Sequence, residues 1–314
     1  MAGDVMESAL ITVTALVITH NRPHLLHELI ASIWNQSRRP DRILVVDNCS
    51  DDETVGLLQS FLERSPIPFS AMRTERNIGG AGGFAFGMAA IVPGKGHYVW
   101  AMDDDALPTA DCLATLLKLA IDENRIIGPA SVGHPPDDDT LCWPIQELTA
   151  PKAFRERKRL DAPVRVRSLP FLGLLIPTVI IDRVGFPRSE FFISGDDVEF
   201  CIRCRKAGFS IWLAPSAILY HPLPRLRSIC LLGKVIWVQE LPAWKRYFEV
   251  RNRIWIAHQH YGLIASSMVI MGTIIRWITA MTIMPGRLAQ SRAFVLAVWD
   301  ALFDNFDKRP LGPK

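Results

Sequence analysis

The sequence predicts an α/β protein with a doubly wound mixed sheet flanked by helices, followed by a helical, apolar and basic C-terminal region. Short apolar runs alternate with amphipathic stretches through the first half of the chain, as in parallel strands joined by helices. Polar and acidic clusters follow these runs, where such sheets bind ligands. Beyond residue 224 the strand pattern gives way to long apolar and basic segments. We therefore predict two domains, residues 1–224 and 225–314.

The elements of the first domain follow the strand-helix order. In the first helix, Leu26, Leu29 and Ile33 recur at helical spacing. Residues 130–170 are rich in proline, aspartate and basic residues, so we expect a loop-rich insertion there. Strands are predicted at 12–19, 42–47, 69–73, 97–102 and 210–214, helices at 23–36, 51–64, 83–91 and 196–207, and an apolar segment at 169–181.

Composition narrows the class of protein. The chain has 314 residues and a formal net charge of only +3, so charge gives no indication of nucleic-acid binding. Its mean hydropathy of +0.16 is high for a purely soluble protein and favours membrane contact. Asp4 and Glu7 precede the first apolar run, which argues against a secretory signal, and the six scattered cysteines are expected to be reduced in the cytoplasm.

The apolar run at 263–284 is the segment that most resembles a membrane span. Arg276 lies in its interior, and a charge at mid-span costs about 2.5–3.5 kcal/mol on insertion scales. We therefore favour an amphipathic helix on the membrane surface. A spanning helix and a buried core or oligomer helix are the alternatives. The basic residues expected to flank the surface helix are Arg251, Arg253, Arg287 and Arg292.

Two polar segments follow predicted strands and suit a nucleotide. Thr19 ends the first strand, and Asp47 ends the second, where a carboxylate could accept hydrogen bonds from a nucleobase or ribose. Capping of the next helix by Ser50 or Asp51 is the alternative explanation.

A glycine-rich segment precedes the third predicted helix. It matches neither the P-loop nor the dinucleotide fingerprint. Its backbone could approach a diphosphate closely, although a loop without a ligand is the alternative. The residues of this segment that could approach such a ligand are Asn77, Gly79, Gly80, Gly82 and Gly83.

Three adjacent carboxylates, Asp103, Asp104 and Asp105, follow the fourth predicted strand. Because they repel one another, a fold that keeps them together usually supplies a cation. Asp103 and Asp105 form a D-x-D pair that suits Mg²⁺ or Mn²⁺, with His221 as a plausible third ligand. A solvated acidic turn and a structural histidine are the alternatives.

A second acidic cluster opens the helix predicted at 196–207. Asp196 could cap this helix, whereas Asp197 or Glu199 could point into a cleft as a general base. Such a base would take the proton from an acceptor hydroxyl during group transfer.

In their order, these segments resemble family 2 glycosyltransferases with the GT-A fold, and most closely the bacterial galactofuranosyltransferases, with rhamnosyltransferases as near relatives. Each motif is weak alone, whereas the ordered set is specific. The matching segments are 17–22, 46–50, 77–83, 103–105, 192–200 and 220–221.

The resemblance implies a role for each site residue. Thr19 and Asp47 would contact the uridine, and the 77–83 loop would lie along the donor. Asp103 and Asp104 would also face the donor, and the divalent metal, Mn²⁺ or Mg²⁺, would be held by Asp103, Asp105 and His221.

On the acceptor side, the resemblance implies that Asp197 is the catalytic base of an inverting single displacement. Asp196 and Glu199 would help to bind acceptor hydroxyls. Gly195 stands where the polymerases of this family have an acceptor-facing tryptophan. This difference favours an enzyme that adds one or a few sugar residues.

The leading hypothesis is galactofuranose transfer from UDP-galactofuranose to a lipid-linked or other cell-envelope glycan at the cytoplasmic face of the membrane. Transfer from dTDP-rhamnose keeps the same chemistry with another donor. A non-catalytic nucleotide-sugar-binding protein is the alternative from a different class. An oligomer is possible.

Overall fold

The computed structural model describes residues 11–149, 153–231, 234–283 and 286–306. Asp4 and Glu7, which argued against a secretory signal, lie outside these residues. So does Met284, the last residue of the apolar run.

The chain alternates strands and helices up to residue 220 and ends in a hairpin and two long helices. The strands are β1 (Thr12–Thr19), β2 (Arg42–Asp47), β3 (Phe69–Arg73), β4 (His97–Asp103), β5 (Leu107–Pro108), β6 (Arg125–Val132), β7 (Thr140–Gln146), β8 (Ala153–Glu156), β9 (Val164–Arg165), β10 (Leu172–Pro177), β11 (Ser210–Tyr220), β12 (Leu226–Leu231) and β13 (Lys234–Gln239). The helices are α1 (Pro23–Trp34), α2 (Asp52–Arg64), α3 (Gly79–Ala89), α4 (Cys112–Leu117), α5 (Thr178–Val184), α6 (Asp196–Lys206), α7 (Ala243–Ile283) and α8 (Arg287–Leu302).

One large mixed sheet organises the molecule. Its strand order is β3-β2-β1-β4-β10-β6-β11-β5, with β7 and β9 added beside β6 and β11. Strands β3, β2, β1 and β4 are parallel to one another, whereas β10 runs antiparallel to both β4 and β6. This arrangement confirms the predicted mixed sheet.

The central strands are apolar along their whole length because helices cover both faces of the sheet. In β1, every residue from Val13 to Thr19 is buried. One core packs α1 and α2 against the sheet, with Leu26 and Phe61 among its members. The core on the other face includes Phe84 of α3 and Phe200 of α6. The sheet therefore lies between two apolar layers.

The predicted bounds of β1, β2 and β3 are confirmed, and the helix expected at 196–207 is present as α6. Helix α3 begins four residues earlier than predicted, at Gly79 instead of Gly83. Glycine has a low helix propensity, which hides a glycine-rich first turn in the sequence pattern. Strand β11 continues past its predicted end to Tyr220 through an irregularity between Ala214 and Ile218.

The prediction of a loop-rich insertion at 130–170 was wrong, because this region contains the end of β6 and the strands β7, β8 and β9. Leu141, Cys142 and Ile145 of β7 are buried. The prolines and charged residues around this short strand hid it in the sequence pattern. Pairing with neighbouring strands stabilises it, and its own alternation of apolar residues does not.

The C-terminal region begins with a hairpin that the sequence analysis did not predict, formed by β12 and β13. Helix α7 is kinked at Gly262, whose φ is +82°. Its first half packs on the sheet domain in a third core, which joins Tyr247 and Phe248 to Phe191 and Ile202. The boundary at residue 224 stays a prediction.

The second half of α7 exposes one apolar stripe, with Met268 71% and Met271 61% exposed. By length and composition alone, one helix of the described chain, Ala243–Thr282, could cross a membrane. Arg251, expected to flank a surface helix, is instead fully buried. It donates to backbone carbonyls of Glu190 and Phe191, which satisfies its guanidinium inside the protein.

Candidate active site

The ends of three parallel strands bring the first predicted site residues to one edge of the sheet. Thr19 lies opposite Asp47 in the register of β1 with β2, and Ile18 lies opposite Asp103 in that of β1 with β4. The polar residues begin where each apolar strand leaves the interior. Thr19, Asp47 and the acidic turn after β4 therefore share the carboxyl edge, where ligands bind in such sheets.

Asp47 is buried, and one of its carboxylate oxygens accepts no hydrogen bond from the described residues. Its Oδ1 accepts a hydrogen bond from the Ser50 backbone N–H at 2.9 Å. Its Oδ2 lies 3.6 Å from Arg73 Nε and accepts no hydrogen bond from any described residue. A buried carboxylate oxygen in this state calls for a donor from a ligand or water. The alternative role of Asp51 finds no support, since its side chain makes no capping hydrogen bond to α2.

Asp104 ties the end of β1 to the acidic turn. Thr19 Oγ1 donates to Asp104 Oδ2 at 2.8 Å, and Arg22 Nη1 donates to Asp104 Oδ1 at 3.1 Å. The same Arg22 nitrogen lies 2.9 Å from Asp105 Oδ2. Burial raises the pKa of Asp104, although Arg22 and Thr19 oppose the shift. The donor contact predicted for Asp104 stays a prediction.

Two asparagines shape the glycine-rich loop. Asn48 Nδ2 donates to the Gly79 carbonyl at 3.1 Å, and Asn48 Oδ1 accepts from the Ile78 N–H at 2.9 Å. Asn77 Oδ1 accepts from the Gly79 N–H at 2.9 Å. Side-chain amides therefore replace the regular backbone pairing of the turn that leads into α3.

Close packing explains most glycines of this loop. A Cβ added at Gly79, Gly82 or Gly83 would lie 2.0, 2.9 or 2.6 Å from the nearest atom, too close for any side chain. At Gly79 that atom is the carbonyl oxygen of Phe192, which precedes α6. At Gly80 a Cβ would meet no atom within 4 Å. Gly80 is therefore the glycine that internal packing does not require.

Burial and several neighbouring carboxylates act together on the pKa of Asp103. Burial raises its pKa well above the ordinary value, and the charges of Asp105 and Asp104 raise it further. Asp196, at the start of α6, acts in the same direction. The two acidic clusters found in the sequence thus lie within electrostatic reach of each other.

Strand pairing brings His221 to the acidic turn. Tyr220 at the end of β11 lies opposite Leu107 of β5, two residues beyond Asp105. His221 Nε2 is 3.3 Å from Asp105 Oδ1, and His221 Nδ1 is 2.8 Å from the Pro222 carbonyl oxygen. One ring nitrogen, Nδ1, is therefore placed to donate to the Pro222 carbonyl, and the other, Nε2, faces Asp105. Burial acts to raise the pKa of Asp105, but the hydrogen bond and charge of His221 hold it below the ordinary value.

These residues fit a divalent cation in charge and in donor type. The Asp103 carboxylate has no hydrogen-bond or ion-pair partner among the described residues, and Asp105 and His221 already lie together. Carboxylate oxygens and an imidazole nitrogen suit Mn²⁺ or Mg²⁺. Within the described ranges no three His, Cys, Asp or Glu side chains are arranged as a complete metal centre, so the ligand set stays a prediction.

Asp196 and Asp197 begin α6, directly after the left-handed Gly195. Burial raises the pKa of Asp196, and the charge of Asp197 raises it further. Burial also raises the pKa of Asp197, whose Oδ1 accepts a hydrogen bond from the Val198 N–H at 2.7 Å. A desolvated carboxylate pair of this kind suits proton transfer.

Glu199 lies on the buried side of α6. Arg203 Nε donates to both of its oxygens at 2.9 Å, and His260 Nε2 lies 3.3 Å from its Oε1. The carboxylate therefore joins α6 to α7. The acceptor-binding role of Glu199 stays a prediction, and the carboxylate would have to exchange these partners to fulfil it.

The structure adds site residues to which the sequence analysis gave no role. Arg22 contacts two carboxylates of the acidic turn, and its place after β1 was the available signal. Asn48 follows Asp47 and shapes the glycine-rich loop. Burial, and next the charge of Arg22, lower the pKa of Lys245 in α7, whereas the charges of Asp105 and Asp103 oppose this shift. Lys245 therefore lies near the acidic turn. No sequence signal pointed to Lys245, because only tertiary packing brings α7 there.

Comparison with known proteins agrees with this geometry. Residues 14–175 match the profile of Glycosyl transferase family 2. The chain is 29% identical over 256 residues to galactofuranosyltransferase GlfT1 of Mycolicibacterium smegmatis, covering 79% of this chain and 83% of that protein. Identity to GlfT1 of Mycobacterium tuberculosis is 30% over 257 residues, with the same coverage. The dTDP-rhamnosyl transferase RfbF of Shigella flexneri is 21% identical over 182 residues, which are 57% of this chain and 59% of that protein.

Solved structures confirm the GT-A fold. A structure of GalNAc-T7 with UDP, GalNAc and Mn²⁺ superposes with a TM-score of 0.62 at 14% identity, covering 98% of this chain and 60% of that one. The mannosyltransferase PcManGT from Pyrobaculum calidifontis, with GDP-Man and Mn²⁺, gives a TM-score of 0.56 at 15% identity, covering 95% and 88%. Taken with the sequence matches, these likenesses mean that the chain is a glycosyltransferase and belongs to glycosyl transferase family 2.

Proposed function

We propose that this enzyme transfers galactofuranose from UDP-galactofuranose to a lipid-linked or cell-envelope glycan, with inversion at the anomeric carbon. The observation that carries the proposal is the meeting of two acidic clusters. Asp196, beside the half-buried Asp197, acts electrostatically on Asp103, which lies next to the Asp105–His221 pair. We infer that the proton acceptor and the cation-binding turn act on the same reacting centre, as group transfer from a diphosphate requires.

On the donor side, we assign the nucleoside to Thr19 and to Asp47, whose buried Oδ2 calls for a donor. The loop with Asn77, Gly79, Gly80, Gly82 and Gly83 would lie along the donor, and Gly80 supports this because it faces open space. Asp103 and Asp104 complete the donor contacts.

Asp103, Asp105 and His221 would hold a divalent metal, Mn²⁺ or Mg²⁺. When bound, the metal neutralises charge on the leaving diphosphate. The GalNAc-T7 and PcManGT structures are both complexes with Mn²⁺, which supports metal use by this enzyme. The absence of a hydrogen-bond partner for Asp103 among the described residues supports its place in the ligand set.

On the acceptor side, we assign the general base to Asp197. Its Oδ1 accepts the Val198 N–H, which leaves Oδ2 to take the proton from the acceptor hydroxyl. The acceptor oxygen then attacks the anomeric carbon on the face opposite the diphosphate. The bond from this carbon to the diphosphate breaks and UDP leaves, so that the configuration is inverted. Burial makes Asp197 a stronger base than an exposed aspartate. Asp196 and Glu199 would contact the other acceptor hydroxyls.

Rhamnose transfer from dTDP-rhamnose is the second candidate, favoured by the likeness to RfbF. Purified enzyme with Mn²⁺ and a lipid-linked acceptor should be incubated with each donor separately. We expect a galactofuranosyl product and release of UDP. Rhamnose transfer without galactofuranose transfer would overturn the donor assignment and leave the family intact.

We also propose that the enzyme lies on the cytoplasmic face of the membrane, held by the second half of α7. Its exposed apolar residues recur every three or four positions, as on one face of a helix. An amphipathic helix of this kind lies in the interface and presents the active site to a lipid-linked acceptor. The residues of this stripe are Ile264, Met268, Met271, Ile275 and Ile278.

Alkaline carbonate treatment of membranes separates this proposal from a spanning helix. We expect the protein in the supernatant after the wash, since a surface helix has no transmembrane anchor. Retention in the membrane pellet under conditions that release a known peripheral protein would indicate that α7 spans the bilayer.

A further inference from the structure

The loop that leads into the paired aspartates has an unusual backbone. Phe192, Ser194 and Gly195 have φ values of 63°, 70° and 84°. At Phe192 the ψ is −58°, and the Ile193 N–H donates to the Phe191 carbonyl at 2.7 Å, which makes a strained γ-turn. Residues other than glycine keep a positive φ only where the surrounding structure holds the backbone in that conformation.

One side chain of the C-terminal region forms several of the hydrogen bonds that hold this loop in place. Asn252 of α7 is 1% exposed, and its Nδ2 donates to the carbonyl oxygens of Phe191, Ile193 and Ser194 at 3.0, 3.0 and 2.7 Å. Arg251 Nε donates to Asn252 Oδ1 at 2.9 Å. This contact orients the amide, so that its N–H groups face the loop.

The same loop connects the two sides of the cleft. The Ala81 N–H, in the first turn of α3, donates to the Phe192 carbonyl at 3.1 Å. The Gly195 carbonyl accepts the first hydrogen bond of α6, from the Glu199 N–H at 2.9 Å. The positions of the glycine-rich loop and of the paired aspartates therefore both depend on how this loop is held.

We propose that Asn252 is a positioning residue for the paired aspartates, acting through the 191–195 loop. This inference rests on the proposed function, in which Asp197 is the base. A displacement of about 1 Å at a reacting group can cost on the order of 10²-fold in rate. Without the Asn252 amide, the half-buried carbonyls of Ile193 and Ser194 lose this donor, whereas the Phe191 carbonyl keeps its bond from Arg251. The strained loop then relaxes, which moves Asp197 away from the acceptor hydroxyl. The C-terminal region is thereby part of the catalytic centre.

The test compares Asn252→Ala with the unmodified enzyme. We expect kcat to fall on the order of 10²-fold, with a much smaller loss of UDP affinity measured by calorimetry. Asn252→Asp keeps the side-chain shape and the oxygen that faces Arg251 but removes the amide donors, so it should lose turnover as well. Full kcat in either folded variant would overturn the proposal.

Thr279→Ala is the matched control for stability. Thr279 is a fully buried residue of the same helix, and its hydroxyl donates to the Ile275 carbonyl at 2.9 Å, not to the 191–195 loop. It should lower the melting temperature and keep kcat. If Thr279→Ala loses as much turnover as Asn252→Ala for the same loss of stability, the role of Asn252 is only structural.

A double variant separates this inference from the proposed function. If Asn252 acts through the base, adding Asn252→Ala to Asp197→Ala should lower turnover no further. Losses that multiply would mean another route and would overturn the positioning role. Full turnover in Asp197→Ala alone would overturn the proposed base, whereas full turnover in Asn252→Ala alone would overturn only the positioning role.

Discussion

At the scale of single residues, the acidic side chains of the site differ in the partners that each carboxylate contacts. Asp47 keeps a buried oxygen that accepts no hydrogen bond from a described residue, Asp105 is paired with His221, and Glu199 is held by Arg203. Asp197 is half-buried beside another carboxylate, and desolvation raises its pKa. Acidic residues that look alike in the sequence thus differ in their partners and burial, and the separate roles that we propose for them rest on these differences.

Asp197→Ala tests the base directly. A general base typically contributes about 10²–10⁴-fold, so we expect kcat to fall by this factor while UDP affinity stays near normal. Asp138→Ala is the control, because Asp138 is an exposed acid in the turn after β6. Equal turnover in the two variants would contradict the role of Asp197.

The pH dependence follows from the same residue. Burial raises the pKa of Asp197 to about 6, and only the deprotonated carboxylate can take a proton. Turnover should therefore be full above that pH and fall as the pH decreases through it. We would measure kcat/KM against pH at saturating metal. A profile that stays flat well below pH 6 would exclude a base with this pKa.

His221→Ala tests the cation site apart from activity. Loss of even an outer-shell partner weakens metal binding roughly 10- to 100-fold, so loss of a ligand should weaken Mn²⁺ binding at least as much. Binding can be followed by electron paramagnetic resonance of free Mn²⁺. His134→Ala is the control, because the exposed His134 ring stacks on Tyr220 nearby. Unchanged Mn²⁺ affinity in His221→Ala would remove His221 from the ligand set.

At the scale of elements, the first turn of α3 combines close packing with the role toward the donor that we propose for it. Its glycines let the helix approach β1 and the loop before α6. Only Gly80 has space around it. The two requirements can therefore be separated by substitution within one turn.

Gly83→Ala and Gly80→Ala make that separation. At Gly83 a Cβ would lie 2.6 Å from Ile18 Cγ2 in the core, so the free energy of unfolding should fall by about 1–3 kcal/mol. Gly80→Ala should keep stability or gain roughly 0.5–1 kcal/mol, since alanine favours helix. If the loop lies along the donor, Gly80→Ala should nevertheless weaken UDP binding. Denaturant unfolding and calorimetry give both quantities, and the reverse pattern would contradict this assignment.

At the scale of the whole molecule, the C-terminal region has two faces. The first half of α7 enters the third core and carries Arg251 and Asn252 to the loop before α6. Beyond the kink at Gly262, the helix turns its apolar stripe outward. One region thus joins the proposed membrane surface to the catalytic cleft.

Met271→Lys tests the membrane face. Met271 is 61% exposed, so the substitution should keep the fold but place a charge against the hydrocarbon. We expect less protein to float with lipid vesicles, with transfer to a soluble acceptor unchanged. Val92→Lys is the control, because Val92 is 75% exposed between α3 and β4, outside the stripe. Equal flotation of both variants would place the membrane contact elsewhere.

The order of motifs and the central strands could be predicted because both are local in sequence. Apolar runs such as β1 identify buried parallel strands, and polar residues at their ends identify the ligand edge. The β7 strand and the C-terminal hairpin could not be predicted, because pairing with distant strands stabilises them against a weak local pattern. The buried state of Arg251 was missed because its carbonyl acceptors, at Glu190 and Phe191, lie about sixty positions away in the chain.

The sequence by itself determined the α/β architecture, the family and the acidic residues from which the site is built, since each depends on short segments and their order. Only the tertiary structure decided which of those acids stay available for chemistry. Glu199 and Asp197 stand two positions apart on one helix, yet their faces meet different neighbours. Burial, ion pairing and strain arise from residues far apart in the chain, and no local pattern encodes them.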